Sequence, residues 1–89
     1  MIHFNGTITK ATGGLLHLAI AGPAHFLFDK SYTQSFDQAL DLAKGSYTIS
    51  LSAATEGSFT FDVTGDYESI DPHVPDSFNN AMHMYDLIV

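Results

Sequence analysis

The sequence predicts an all-β domain in the form of a seven-stranded antiparallel sandwich. Large apolar residues recur at every second position over most of the chain, as in strands with one buried and one solvated face. Turn residues separate these runs at short, regular intervals. The chain has 89 residues, of which 45% are hydrophobic and 15% charged. This is enough apolar material for one core, so residues 1–89 are expected to form a single domain.

Six alternating runs and a final apolar run account for the seven predicted strands. In chain order, the expected inward residues are Ile2, Phe4 and Ile8; Leu16, Leu18 and Ile20; Phe26 and Phe28; Phe36, Leu40 and Leu42; Tyr47, Ile49 and Leu51; Phe59, Phe61 and Val63; and the final run is 81–89. Turns are predicted at 12–14, 22–23, 44–45 and 56–57. Gly6 interrupts the first run, so we expect a bulge or a close backbone approach there.

The segment from Ser35 to Gly45 supports two interpretations. Phe36, Leu40 and Leu42 share one parity, which fits a strand. Ser35 followed by Gln38 fits a helical capping box, and a helix at 35–44 would make the domain α+β. The neighbouring alternating runs favour the strand.

From Phe36 to Val63 the chain also resembles a known hairpin. An alternating strand leads through Lys44-Gly45 into a second alternating strand that begins with Tyr47. This arrangement is similar to the hairpin of prealbumin-like modules, the small sandwiches related to carboxypeptidase regulatory domains. The resemblance implies a prealbumin-like sandwich and no catalytic residues. An immunoglobulin-like sandwich is the alternative architecture for the seven predicted strands.

Charge and composition narrow the function classes. Ten Asp and Glu face three Lys and no Arg, a formal net charge of −7. Nucleic-acid and phosphate sites depend on clustered basic residues, so such partners are not expected. The net charge fits a basic or cationic partner better, and plain solubility is the alternative interpretation. The chain has no cysteine, which excludes disulfides and thiolate chemistry. No run is long enough to span a membrane as a helix, and the apolar stretch 15–21 makes a poor secretory signal, so the compartment is left open.

The segment between Gly65 and Ser77 is the first candidate site. Four carboxylates, one imidazole and two prolines lie in this predicted loop. Calcium prefers several oxygen ligands from one loop, although the spacing matches no EF-hand. The alternative interpretation is a solvated connection between the sheets. The candidate cation-binding residues are Asp66, Glu68, Asp71, His73 and Asp76.

The histidines, methionines and tyrosines supply weaker candidates. The histidines at 3, 17 and 83 take the parity opposite to the predicted core, so we expect them to be accessible and not to converge on zinc. Met82 and Met84 flank His83 and could hold a soft metal ion, but their parity is interpreted as that of core residues. The candidate surface aromatics for a sugar platform are Tyr32, Tyr67 and Tyr85, and structural packing is the competing interpretation.

Catalysis has little support, because the serines show no elbow motif, no oxyanion glycine pattern and no triad order. The sequence therefore favours a non-catalytic protein-protein interaction or structural module without a cofactor, which presents a Ser/Thr-rich face, an acidic loop and exposed strand edges to another protein. A cation- or ligand-binding domain using residues 66–76 is the first alternative. An acidic inhibitor or immunity-type protein that binds a basic partner is the second.

Overall fold

The computed structural model describes residues 1–11, 16–53, 57–78 and 82–89. These residues form nine β-strands and no helix, which confirms the all-β prediction and leaves no helix within these ranges to cross a membrane. The strands are β1 (Ile2–Ala11), β2 (Leu16–Ala21), β3 (Leu27–Tyr32), β4 (Phe36–Leu40), β5 (Ser46–Ala53), β6 (Gly57–Gly65), β7 (Ser69–Asp71), β8 (Asp76–Phe78) and β9 (Met82–Ile88).

Two antiparallel sheets pack over one shared core. The four-stranded sheet has the order β4-β1-β6-β8, and the five-stranded sheet has the order β3-β2-β5-β9-β7. Among the described strands, only β2 and β3 are neighbours both in sequence and in a sheet, and each of the other pairs of consecutive strands lies in different sheets. The count of nine strands corrects the predicted seven. The two additional strands, β7 and β8, have three residues each and lie in the segment predicted to be a solvated loop.

Within the segment 35–45, for which the sequence supports both a strand and a helix, residues Phe36–Leu40 form a strand. β4 pairs with β1 from Ile2↔Leu40 to Gly6↔Phe36, at the edge of the four-stranded sheet. β5 lies in the other sheet, so the β4–β5 hairpin implied by the prealbumin-like resemblance is not formed. Residues 41–45 instead cross between the sheets, and Leu42 in this crossing is buried.

Alternation places the core as predicted in most strands. The buried core residues are Ile2, Phe4, Leu16, Leu18, Ile20, Leu42, Tyr47, Ile49, Leu51, Phe59, Phe61, Val63, Tyr85 and Leu87. Burying each large aliphatic or aromatic side chain contributes about 1.5–3 kcal/mol, so both sheets depend on this shared layer.

The predicted parity of the last strand is wrong. Tyr85 lies opposite Ile49 and Leu87 lies opposite Tyr47, and both point into the core. Met82 and Met84 consequently point outward and are 70% and 55% exposed. The opposite register would bury Asp86, which has the parity of the two methionines, and an unpaired buried carboxylate is costly.

Gly6 accommodates an aromatic side chain. It lies opposite Phe36, whose ring occupies the space that a Cβ at position 6 would need. The predicted close approach is therefore made by a ring and not by backbone, and the bulge in β1 falls between Ile8 and Lys10. The ring of Phe36 stacks in turn on Tyr32, with centroids 3.7 Å apart.

Two tyrosine hydroxyls join the sheets, one at each open side of the sandwich. Tyr32 on β3 donates to Oε1 of Gln38 on β4 at 2.9 Å. Tyr85 on β9 donates to Oδ2 of Asp76 on β8 at 2.8 Å. Each bond links strands of different sheets, so both sides are held by a polar contact at the boundary of the core.

A tight turn joins β2 and β3. The amide of Phe26 donates to the carbonyl of Pro23 at 3.1 Å, and the two residues between them, Ala24 and His25, have φ of 56° and 62°. Positive φ at both central positions defines a type I′ turn, which favours Asn-Gly. The predicted turn at 22–23 is thus present, and the predicted turn at 12–14 lies outside the described residues.

Candidate interaction surface

The outer face of the five-stranded sheet is built by the outward residues of all five strands. The strand registers arrange these residues in rows that run across the sheet. The rows are Ser31, His17, Ser52 and Met82; Asp29, Ala19, Ser50 and Met84; Leu27, Ala21, Thr48, Asp86 and Asp71; and Ser46, Ile88 and Ser69.

Large apolar side chains are concentrated on this face. Leu27, Met82 and Met84 are 69%, 70% and 55% exposed. Among the described residues, the other large hydrophobic residue with comparable exposure is Met1. Scattered apolar residues are normal on protein surfaces, but several on one face are typical of binding surfaces.

Small side chains cover the centre of the same face. β2 contributes Ala19 and Ala21, and β5 contributes Thr48, Ser50 and Ser52. The apolar residues lie to either side, with Leu27 on β3 and the methionines on β9. The face therefore has a low centre between two higher margins.

The charges on this face are carboxylates and one imidazole. Asp71 and Asp86 lie directly opposite each other on β7 and β9, and no described lysine forms an ion pair with either. Asp29 on β3 pairs with Nε2 of His17, whose Nδ1 is 2.7 Å from Oγ of Ser31. The imidazole of His17 thus lies over β3 and leaves the centre of the face uncovered.

The outer face of the four-stranded sheet differs in composition. Its described side chains include Asn5, Thr7, Asp62 and Thr64, and its histidine, His3, places Nδ1 2.9 Å from Oδ1 of Asp37 on β4. None of the described outward residues on this face is a large exposed hydrophobic residue. It has the composition of an ordinary solvated face.

The predicted cation-binding residues do not converge. Asp71 points outward from the five-stranded sheet, whereas Asp76 lies opposite the buried Phe61 on the other sheet. Within the described ranges, which include all five candidates, no three His, Asp or Glu residues are grouped closely enough to hold a metal ion. An open cavity of about 330 Å³ lies beside Asp66 and Glu68, and its other lining residues are Lys44, Tyr67 and Val89.

Among the predicted surface aromatics, Tyr85 is a correction, because it is only 1% exposed. Burial raises its pKa above the ordinary value of 10, and the hydrogen bond and negative charge of Asp76 add to the rise. Tyr32 and Tyr67 are half-buried, and burial also raises the pKa of Tyr32. The hydroxyl of Tyr67 donates to the carbonyl of Val63 at 2.9 Å, so these tyrosines do not form a common platform.

The Met82-His83-Met84 segment also differs from its prediction. The two methionines share the outer face, whereas His83 shares the inner face with Tyr85 and contacts Oδ2 of Asp76 at 3.6 Å. The prediction that His83 has the parity opposite to the core is therefore wrong. His83 closes the rim of the sandwich and points away from the two thioethers.

Sequence reasoning predicted a Ser/Thr-rich face but missed the apolar margin of this face on β9, because it assigned both methionines to the core. Asp86 could have identified this face from the sequence, because it has the same parity as Met82 and Met84 and a charged residue is expected to face solvent. Comparisons with protein-family models, with curated proteins and with solved structures find no match to this chain, and the resemblance to prealbumin-like modules stays a prediction.

Proposed function

We propose that this domain is a non-catalytic interaction module that binds another protein through the outer face of its five-stranded sheet. The observation that carries the proposal is that Leu27, Met82 and Met84 are all exposed on this one face. Their exposed apolar surface leaves water only when another molecule covers it, and about 25 cal/mol is gained for each Å² of that surface.

The methionines of this face support the same function. Centres of protein interfaces are enriched in Met and depleted in Lys, Glu, Asp, Ser and Ala, so the two methionines and the lack of Lys and Glu fit an interface, whereas the Asp, Ser and Ala residues of this face do not. No Lys or Glu occurs among the described outward residues of this face. Methionine also adapts its flexible side chain to the shape of a partner, which suits it to binding surfaces.

The edge strand β3 is poorly suited to strand addition between two copies of this chain. Antiparallel pairing about a twofold axis that keeps the sheet faces aligned is longest when it is centred on Asp29 or on Lys30. The first register places two aspartates directly opposite each other, and the second does the same with two lysines. Like charges in this position are destabilising, so β3 is protected against pairing with itself.

Site-specific photocrosslinking in extracts of the natural host tests the proposal. A photoreactive residue replaces Ser50, at the centre of the proposed face, and in a matched control it replaces Asn5, at the centre of the other outer face. We expect an adduct of discrete mass from position 50 and none from position 5. The adduct should disappear when Met84→Lys is added, and circular dichroism should show that the fold is unchanged.

Equal adducts from the two positions, or none from position 50, would contradict the proposed face. An adduct that forms only at position 5 would move the interaction to the four-stranded sheet.

A further inference from the structure

We propose that the element bound on this face is a basic amphipathic helix of the partner, lying along β2 and β5. This inference rests on the proposed function and specifies the chemistry of the partner. Three features of the face support it: its width, its low centre and its negative charge, of which Asp29 is paired with His17 while Asp71 and Asp86 form no ion pair with a described lysine.

The spacing of the two margins fits a helix. The margin on β3 (Leu27, Asp29) and the margin on β9 (Met82, Met84) are three strand positions apart. At about 4.8 Å per strand, the margins are about 14 Å apart. A helix with its side chains is about 10–12 Å wide, so one helix fits between them.

The centre of the face allows close approach. Ala19, Ala21 and Ser50 carry short side chains, so the apolar stripe of a helix can reach the sheet. The methionines and Leu27 then cover the flanks of that stripe. This arrangement matches binding of a helix through residues spaced i, i+3, i+4 and i+7.

The charge of the helix follows from the carboxylates at both margins. Asp29 lies at one margin, and Asp86 with Asp71 lies beside the other. Asp71 and Asp86 repel each other across the β7–β9 pair, and a cationic side chain from a partner would relieve that repulsion. Lys or Arg residues on either side of an apolar helical stripe would meet these carboxylates.

A second copy of this chain fits the face less well. Each copy has a formal net charge of −7, and face-to-face packing would bring the carboxylates of both copies together. A basic partner removes the repulsion that self-association would add. The face is small, about 19 Å across its five strands and about 20 Å along them, so we expect a weak and rapidly exchanging complex.

NMR titration of the full ¹⁵N-labelled chain with designed peptides tests the inference. The first probe is a Leu/Lys peptide of about four helical turns with leucine at helical spacing. The second has the same composition with leucine at every other position, which favours a strand, and the third replaces Lys by Glu. We expect only the first peptide to shift the amides of β2, β5 and β9 and the methyl signals of Met82 and Met84.

Variants with equal charge changes separate the proposed site from general electrostatic attraction. Met84→Lys should weaken binding of the first peptide about tenfold. Thr7→Lys, on the outer face of the other sheet, should change it by less than about twofold. Both positions are exposed, so neither substitution is expected to disturb the core.

Equal binding of the strand-forming peptide would overturn the helix, and equal binding of the Leu/Glu peptide would overturn the charge. Equal effects of the two lysine substitutions, or no binding by any peptide, would also overturn this inference. The crosslink at position 50 does not depend on these peptides. If the crosslink at position 50 forms but the peptides do not bind as expected, only the proposal of a helical partner is rejected. If the crosslink at position 50 also does not form, the proposed face is rejected as well.

Discussion

The hydroxyl of Tyr85 should be a measurable contributor to stability, and Tyr85→Phe isolates it. The substitution keeps the buried ring but removes the donor to Asp76, the contact that joins β9 to β8. Because these strands belong to different sheets, the lost bond weakens the closure of one side of the sandwich.

The expected cost follows from the bond and its surroundings. A hydrogen bond to a charged group contributes about 1.5–3 kcal/mol. The side chain of Asp76 is 31% exposed, so water can replace part of the lost bond and the lower end of the range applies. We expect Tyr85→Phe to lower the free energy of unfolding by about 1.5 kcal/mol, or Tm by about 6–12 °C.

Urea denaturation followed by circular dichroism measures this cost, and Tyr32→Phe is the matched control. The Tyr32 hydroxyl joins the sheets at the opposite side, but its acceptor is the neutral amide of Gln38. The control should therefore cost less, about 0.5–1.5 kcal/mol. A Tyr85→Phe variant as stable as the parent, or a control that costs more, would refute the reasoning.

The raised pKa of Tyr85 adds a pH dependence. The unfolded chain releases this tyrosine proton near pH 10, whereas the folded chain holds it to higher pH. The stabilisation is therefore fully present below about pH 10 and is lost as pH rises from there towards the folded pKa. Tyr85→Phe should show a shallower loss of stability above pH 10, and identical slopes for the parent and the variant would contradict this assignment.

Three further predictions use the same unfolding measurement. His25→Gly relieves a left-handed non-glycine residue in the type I′ turn and should stabilise the domain by about 0.5–1 kcal/mol; a loss of stability would contradict the assigned turn. Gly6→Ala places a methyl group in the space of the Phe36 ring and should cost about 1–3 kcal/mol; an unchanged midpoint would show that the ring moves freely. Asp71→Asn removes the repulsion with Asp86 and should add a few tenths of a kcal/mol at low salt, with a smaller gain at high salt; a gain that does not depend on salt would rule out the charge explanation.

The sequence predicts the core of most strands because alternation is a local signal. Leu16, Leu18 and Ile20 must share a face once their segment is extended, and a buried face is the only stable place for three such side chains. For residues Phe36–Leu40 the sequence supports both a strand and a helix, because their local propensity is helical whereas their large apolar residues share one parity. Pairing with β1, a contact between distant parts of the chain, resolves the conflict in favour of the strand.

Pairing between distant segments is also what the sequence could not supply. Neighbouring alternating runs predict hairpins, yet among the nine described strands only β2 and β3 pair in chain order. β7 and β8 have three residues each, too few for alternation to identify them. Their positions in different sheets separate Asp71 from Asp76, so the predicted cation-binding group does not form.

The candidate surface depends on one register in the same way. Shifting β9 by one residue would exchange Tyr85 and Leu87 for Met82 and Met84 and turn the apolar margin into core. The observed register buries the larger aromatic, places its hydroxyl on Asp76 and keeps Asp86 in solvent. The exposure of the methionines is thus a consequence of satisfying the core. It leaves them available to a partner at no cost to the packing of the fold.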